Sequence, residues 1–191
     1  MGSMYFANAG TFLIHTLFGL VLLVILLRFM MQIVRADFRN PVSQFIVKVT
    51  NPILKPLRRV IPGFGGIDLA ALLLLVIVQA LELVLVALIL GAVIHPAGLF
   101  VLSIAELMDL VAKVYLFGIL IQIIISWVNP STYNPVIGIL HSINEPLLSR
   151  ARRIIPPISG FDLSPILVIV GLQLVTMLVI APVTDFGRSL T

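Results

Sequence analysis

Ionisable side chains inside long apolar stretches are the residues best placed to do chemistry in this sequence, because each is costly in hydrocarbon unless it is paired or lines a polar cavity. Arg28, Glu82, Asp109 and Lys113 are of this kind, and the amides Gln79 and Gln173 are their uncharged counterparts. Glu82 follows Asp68 by 14 residues and Lys113 precedes Val128 by 15. In helices rising ~1.5 Å per residue, both then lie roughly 21 to 23 Å from the same membrane boundary, and equal depth predicts a Glu82 to Lys113 pair. Glu106, Asp109 and Lys113 share one helical face, which makes either a polar vestibule or an Asp109 to Lys113 bridge within one helix. Gln79 and Gln173 sit at matching depths near mid-membrane, where two amides either coordinate an ion or water or hydrogen-bond between helices. Arg28 is close enough to the basic end of its stretch to snorkel towards lipid phosphates. Asp68 and Asp162 each stand just before an apolar stretch, where a carboxylate caps free backbone amides and can pair with Arg58-Arg59 or Arg152-Arg153.

Other chemistry is excluded by what the chain lacks. It has no cysteine, so disulfides, thiolate-bound metals, iron–sulfur clusters and a thiol nucleophile are ruled out. His15, His95 and His141 lie too far apart in sequence to form a short-spaced metal motif. A nucleophile elbow and a phosphate-cradling glycine loop are both missing. No catalytic residue, metal ligand or cofactor site is therefore expected.

The elements that must position these residues are transmembrane helices. Of 191 residues, 60% are hydrophobic and 10% charged, with a mean hydropathy of +1.20; soluble domains carry about 25% charge. Four apolar stretches, at 11–34, 69–94, 105–128 and 164–183, each reach the roughly 20 residues that span a hydrocarbon core. They lack strand alternation, and an all-α membrane protein is expected. The first stretch has no basic leader and no small-residue cleavage site, so it reads as a retained helix rather than a signal peptide.

The sequence repeats itself. An offset of 94 residues carries Asn40-Pro41-Val42 onto Asn134-Pro135-Val136, and Pro52 onto Pro146. It also carries Arg58-Arg59 onto Arg152-Arg153, Ile61-Pro62 onto Ile155-Pro156, Asp68-Leu69 onto Asp162-Leu163 and Gln79 onto Gln173. Each copy reads helix, basic linker, helix, giving one repeat at 1–94, a short turn at 95–104 and a second repeat at 105–191. A unit of two crossings returns to its starting side, so the repeats are parallel rather than inverted.

Nine of the twelve basic residues fall in the two linkers, whereas the first ten residues and the turn between the repeats carry none. The positive-inside rule then places both linkers in the cytoplasm and both termini outside. Within each linker, apolar residues recur at helical spacing among Lys48, Lys55, Arg58 and Arg59, or among Arg150, Arg152 and Arg153. Pro52 and Pro146 are expected to interrupt these segments, and Pro62 and Pro156 to end them. The expected arrangement is a kinked amphipathic segment in the interface, binding anionic phospholipids; the alternative packs the same apolar faces under the bundle. A homo-oligomer and a membrane or cytoplasmic protein are further candidate partners, and nothing points to nucleic acid.

The linkers and the helices around them carry a resemblance. Asp37-Phe38, Asn40-Pro41, Ser43-Gln44-Phe45, Lys48-Val49-Thr50, Pro52, Pro56-Leu57-Arg58-Arg59, Ile61-Pro62 and Gly66-Ile67-Asp68 resemble the signature of the YggT family of small bacterial membrane proteins. The second half repeats it as Glu145-Pro146-Leu147-Leu148, Arg152-Arg153-Ile154-Ile155-Pro156 and Gly160-Phe161-Asp162, with Ser142 where the first copy has Lys48. The resemblance implies a part in osmotic-shock tolerance and ion homeostasis. For plastid and cyanobacterial relatives it implies organisation of nucleoids or division, or assembly of a cytochrome cofactor. It carries over no catalytic residue. The sequence thus leaves two functions open, an ion or osmotic-balance component and a non-catalytic membrane scaffold.

Overall fold

The computed structural model describes residues 2–128, 134–157 and 162–191. Its helices are α1 (Gly2–Ile33), α2 (Pro41–Val60), α3 (Leu69–Leu90), α4 (Pro96–Val128), α5 (Pro135–Ile154), α6 (Ser164–Val175) and α7 (Ala181–Ser189), the last two joined by a π-helical turn at Thr176–Ile180. Among the described residues, four spans are long and apolar enough to cross a bilayer: Met4–Ile33, Leu69–Leu90, Pro96–Ser126 and Ser164–Ser189. Large apolar side chains such as Phe12, Leu17, Ile77 and Leu88 point outward. That surface suits a lipid solvent, in which helices satisfy their own backbone.

Local chemistry explains where the helices begin and end. Asn40 and Asn134 cap α2 and α5, their Oδ1 atoms accepting from the amides of Val42 and Val136 at 2.9 Å, and Pro41 and Pro135 take the first helical position. The twin Asn-Pro pairs are therefore helix starts. Gly91 ends α3 in the left-handed conformation at φ 67. The turn expected over 95–104 is mostly helix, because Pro96 opens α4 and His95 Nδ1 accepts from Ala97 N at 3.4 Å.

Contrary to the expectation from sequence, Pro52 and Pro146 do not interrupt the linkers. Pro52 and Pro56 lie inside a continuous α2, and Pro146 inside a continuous α5. Pro52 deprives the Lys48 carbonyl of its partner, and Pro56 that of Pro52. These positions are all exposed, so the freed carbonyls can bond to solvent or headgroups.

Within each repeat the two spanning helices form a hairpin: α1 packs on α3, and α4 on α6, the π turn and α7. The hairpins join through α3 and α4. Asn40 Nδ2 donates to Pro135 O at 2.6 Å, so α2 meets α5 and both linkers occupy one end of the bundle. That is the parallel arrangement of two helix-linker-helix units. The core between them contains Leu22, Leu26, Met31, Leu75, Ile139 and Ile143. At the far end α4 and α7 nearly touch, since a Cβ on Gly187 would meet Leu102 Cγ at 2.9 Å and its amide nitrogen at 3.2 Å.

Candidate functional site

Polar side chains gather in two places, a cleft between the repeats towards the far end and the linker junctions at the basic end. In the cleft, His15 Nδ1 of α1 lies 2.7 Å from Glu82 Oε1 of α3, and Gln79 Nε2 donates to Glu82 Oε2 at 3.1 Å. Across the cleft, Lys113 Nζ and Asp109 Oδ2 pair at 2.5 Å within α4. A cavity of about 190 Å³ is bounded by His15, Gln79, Glu82, Glu106, Asp109 and Lys113. A second, of about 270 Å³, includes Glu106, Asp109, Thr176, Thr184, Asp185 and Arg188, and a third, of about 160 Å³, includes Asp109, Lys113, Gln173 and Thr176. Asp109 borders all three.

The expected Glu82 to Lys113 pair is not formed. Lys113 satisfies its charge four residues back on its own helix, and Glu82 is taken by the closely packed α1. Nor do Gln79 and Gln173 meet: Gln79 is buried on Glu82, while Gln173 is exposed. His15 was not singled out in the sequence, although a signal existed, because the repeat offset carries His15 onto Asp109 and Glu82 onto Thr176. These are the positions at which the first and second helices of each repeat face one another.

At the basic end, Arg58 Nε donates to Asp68 Oδ2 at 3.0 Å and its Nη2 contacts the same oxygen, while Asp68 Oδ1 accepts from Ala71 N at 3.2 Å. Asp68 thus caps α3 and ties it to α2. In repeat 2, Arg152 bonds Asp162 at 2.9 Å and Glu145 at 2.8 Å, and Asp162 accepts from Ser164 N at 2.8 Å. Burial alone would raise the Asp162 pKa, but the bonds from Ser164 and Arg152 outweigh it and hold the carboxyl below its ordinary range. The bond to Asp162 is the main cause of a raised Arg152 pKa. Lys48, Lys55, Arg59, Arg150 and Arg153 are exposed.

Arg28 does not snorkel. It is 5% exposed, and its Nη1 donates to Val47 O at 3.1 Å and contacts Thr50 Oγ1, joining α1 to α2. Acceptors on the neighbouring linker helix satisfy the guanidinium within the bundle and spare it the hydrocarbon. The equivalent contact in repeat 2 runs from Asn144 Nδ2 to Gln122 Oε1 at 3.0 Å.

Among the described residues, no cluster of three or more His, Asp or Glu is arranged to hold a metal ion. Fold and polar sites together define a multi-pass helical membrane protein built by duplication of a two-span unit. A family model described as CCB3/YggT matches residues 7–89 and again 101–183. The chain belongs to this family. It is 46% identical over 178 residues to the uncharacterized protein PA0392 of Pseudomonas aeruginosa, covering 91% of this chain and 89% of that one. Over 173 residues it is 41% identical to a Vibrio alginolyticus protein encoded in the proC 3′ region, covering 90% and 93%. The YggT protein of Escherichia coli K12 is 38% identical over 172 residues, covering 89% and 88%. No solved structure matches the chain significantly.

Proposed function

We propose that this protein is a non-catalytic inner-membrane component whose helix α2 seats in the anionic cytoplasmic leaflet, both termini lying outside. The observation that carries this reading is the division of α2 into three stripes. Ser43, Ile46, Thr50 and Leu54 face the bundle and are buried. Beside them Phe45, Val49 and Ile53 are 61%, 49% and 52% exposed, and Lys48, Lys55 and Arg59 form a third, exposed stripe. A helix with one face on protein, one apolar face free and one basic face free suits the boundary between hydrocarbon and lipid phosphates. Each basic residue near an anionic surface contributes about 1 kcal/mol, so the three together contribute about 3 kcal/mol.

The two linker helices differ in what they leave exposed. The α5 counterparts of Phe45 and Val49 are Ile139 and Ile143, which are buried in the core. The osmotic and ionic roles implied for the family would then act through the leaflet rather than through a pore. Below the polar cleft, Leu22, Leu26, Met30 and Leu75 pack as continuous apolar core, so an ion route in one copy would have to cross it. A scaffold for an envelope, division or cofactor-assembly partner is the second reading, favoured by the same exposed stripe.

The absence of cysteine allows single-cysteine labelling without background. In vesicles containing phosphatidylglycerol, an environment-sensitive probe at Val49→Cys should report an apolar setting and one at Lys48→Cys an aqueous one. The apolar signal should weaken when phosphatidylglycerol is replaced by phosphatidylcholine. Equal, water-like signals in both lipids would defeat the leaflet reading.

A further inference from the structure

Because the two repeats correspond at a fixed offset, each difference between them isolates something that only one half does. In repeat 1, Arg28 reaches from α1 to Val47 and Thr50 of α2, and Arg28, Ile25, Leu54, Asp68 and Ala71 are all buried. The equivalent positions in repeat 2 are Gln122, Ile119, Leu148, Asp162 and Pro165, and they line a cavity of about 560 Å³. That lies within the roughly 300 to 1,000 Å³ of small-ligand sites. Leu163 and Ile166, both exposed, border it, so it opens sideways towards lipid.

The charges differ in the same sense. Repeat 1 sets two guanidinium groups, Arg28 and Arg58, against one carboxylate, Asp68, with Asn51 where repeat 2 has Glu145. Repeat 2 sets one, Arg152, against two, Glu145 and Asp162. One repeat has an excess cation and the other lacks one. Asn144, which replaces Thr50, is fully buried, and its Oδ1 has no hydrogen-bond partner. Glu145 Oε2 is likewise buried and unbonded, with His141 Nε2 at 3.7 Å. The side-chain exposure of the aspartates follows suit, 3% for Asp68 and 36% for Asp162.

We propose that the repeat 2 cavity binds a lipid bearing a primary ammonium head, of the phosphatidylethanolamine type, the ammonium standing in for the guanidinium that Arg28 supplies in repeat 1. The depth suits an amphiphile. Ile119 lies about 14 Å along α4 from Val128, in hydrocarbon, whereas Arg152 and Asp162 lie at the polar boundary. An ammonium offers three N–H donors to Asp162, the carboxylate that lines the cavity, while Glu145 adds negative charge behind Arg152; a choline head of equal charge offers none. This site uses neither the exposed stripe nor the lysines of α2, so it stands or falls apart from the leaflet reading.

The test is native mass spectrometry of the full chain from mixed-lipid nanodiscs at pH 8, where an ordinary histidine is neutral. Phosphatidylethanolamine is compared with phosphatidylcholine of identical acyl chains. Ethanolamine lipid should be retained in preference, and Asp162→Asn should cut that preference by about five-fold, with Glu145→Gln, which acts only through Arg152, cutting it less. Gln122→Arg, which supplies repeat 2 with its own guanidinium, should abolish retention and raise Tm. Ile119→Trp, which fills the floor without adding charge, should also abolish it. Lys48→Glu with Lys55→Glu should leave it intact. Equal retention of the two lipids, or undiminished retention in the Gln122→Arg and Ile119→Trp variants, would overturn the proposal.

Discussion

Four side chains show how one scaffold solves the same problem twice. Arg28 and Thr50 join α1 to α2, and Gln122 and Asn144 join α4 to α5 at the equivalent positions. Arg28→Ala removes the donor from Thr50 and Val47 and leaves a void among buried residues. A loss of about 1 to 3 kcal/mol is expected, read as a lowered Tm in detergent. Arg28→Gln combined with Thr50→Asn imports the other repeat's pair and should recover part of that loss; no recovery would mean that the two couplings are not equivalent. Asp162 makes a pH prediction. Its folded pKa is depressed, so the stability it contributes is present above the ordinary aspartate pKa of about 3.9 and is lost as pH falls through the lower folded value. Wild-type Tm should therefore exceed that of Asp162→Asn at neutral pH, and the gap should close with acidification below pH 4.

At the level of elements, capping and close approach govern the arrangement. Asn40 both caps α2 and reaches across to Pro135, whereas among the described residues Asn134 caps α5 alone. Asn40→Ala should cost more than Asn134→Ala, the latter about 1 kcal/mol, in parallel thermal melts. Glycine at 187 allows α7 to lie on α4, and Gly187→Leu should destabilise by about 1 to 3 kcal/mol through overpacking. A Cβ at Gly171 of α6 meets nothing within 4 Å, so Gly171→Ala should be neutral or should stabilise through its helix propensity, by up to about 1 kcal/mol. The π turn has a local cause as well. It ends two residues before Pro182, whose ring would press on the Leu178 carbonyl of a regular helix.

For the whole molecule, parallel duplication puts both basic linkers at one end. Lys55→Cys and Arg153→Cys should react with a membrane-impermeant maleimide from the same side of oriented vesicles, and on the proposed orientation that side is cytoplasmic. Labelling from opposite sides would contradict the Asn40 to Pro135 contact itself. Much of this architecture was legible beforehand. The four spans follow from run length and composition, and the duplication from the 94-residue offset. The polar pairings were less legible. Depth along a helix is an additive property of sequence and placed Glu82 level with Lys113, but the rotation of each helix about its axis is set by packing with its neighbours. That rotation turned Glu82 towards His15 and Arg28 towards Thr50.

By itself the sequence determined a helical membrane protein made of two like halves, because hydrophobicity, capping and repetition act locally and add residue by residue. Only the tertiary structure decided which half is filled and which is open. The same position holds a long guanidinium in one repeat and a shorter amide in the other, and whether that difference leaves a cavity depends on how closely three helices approach around it.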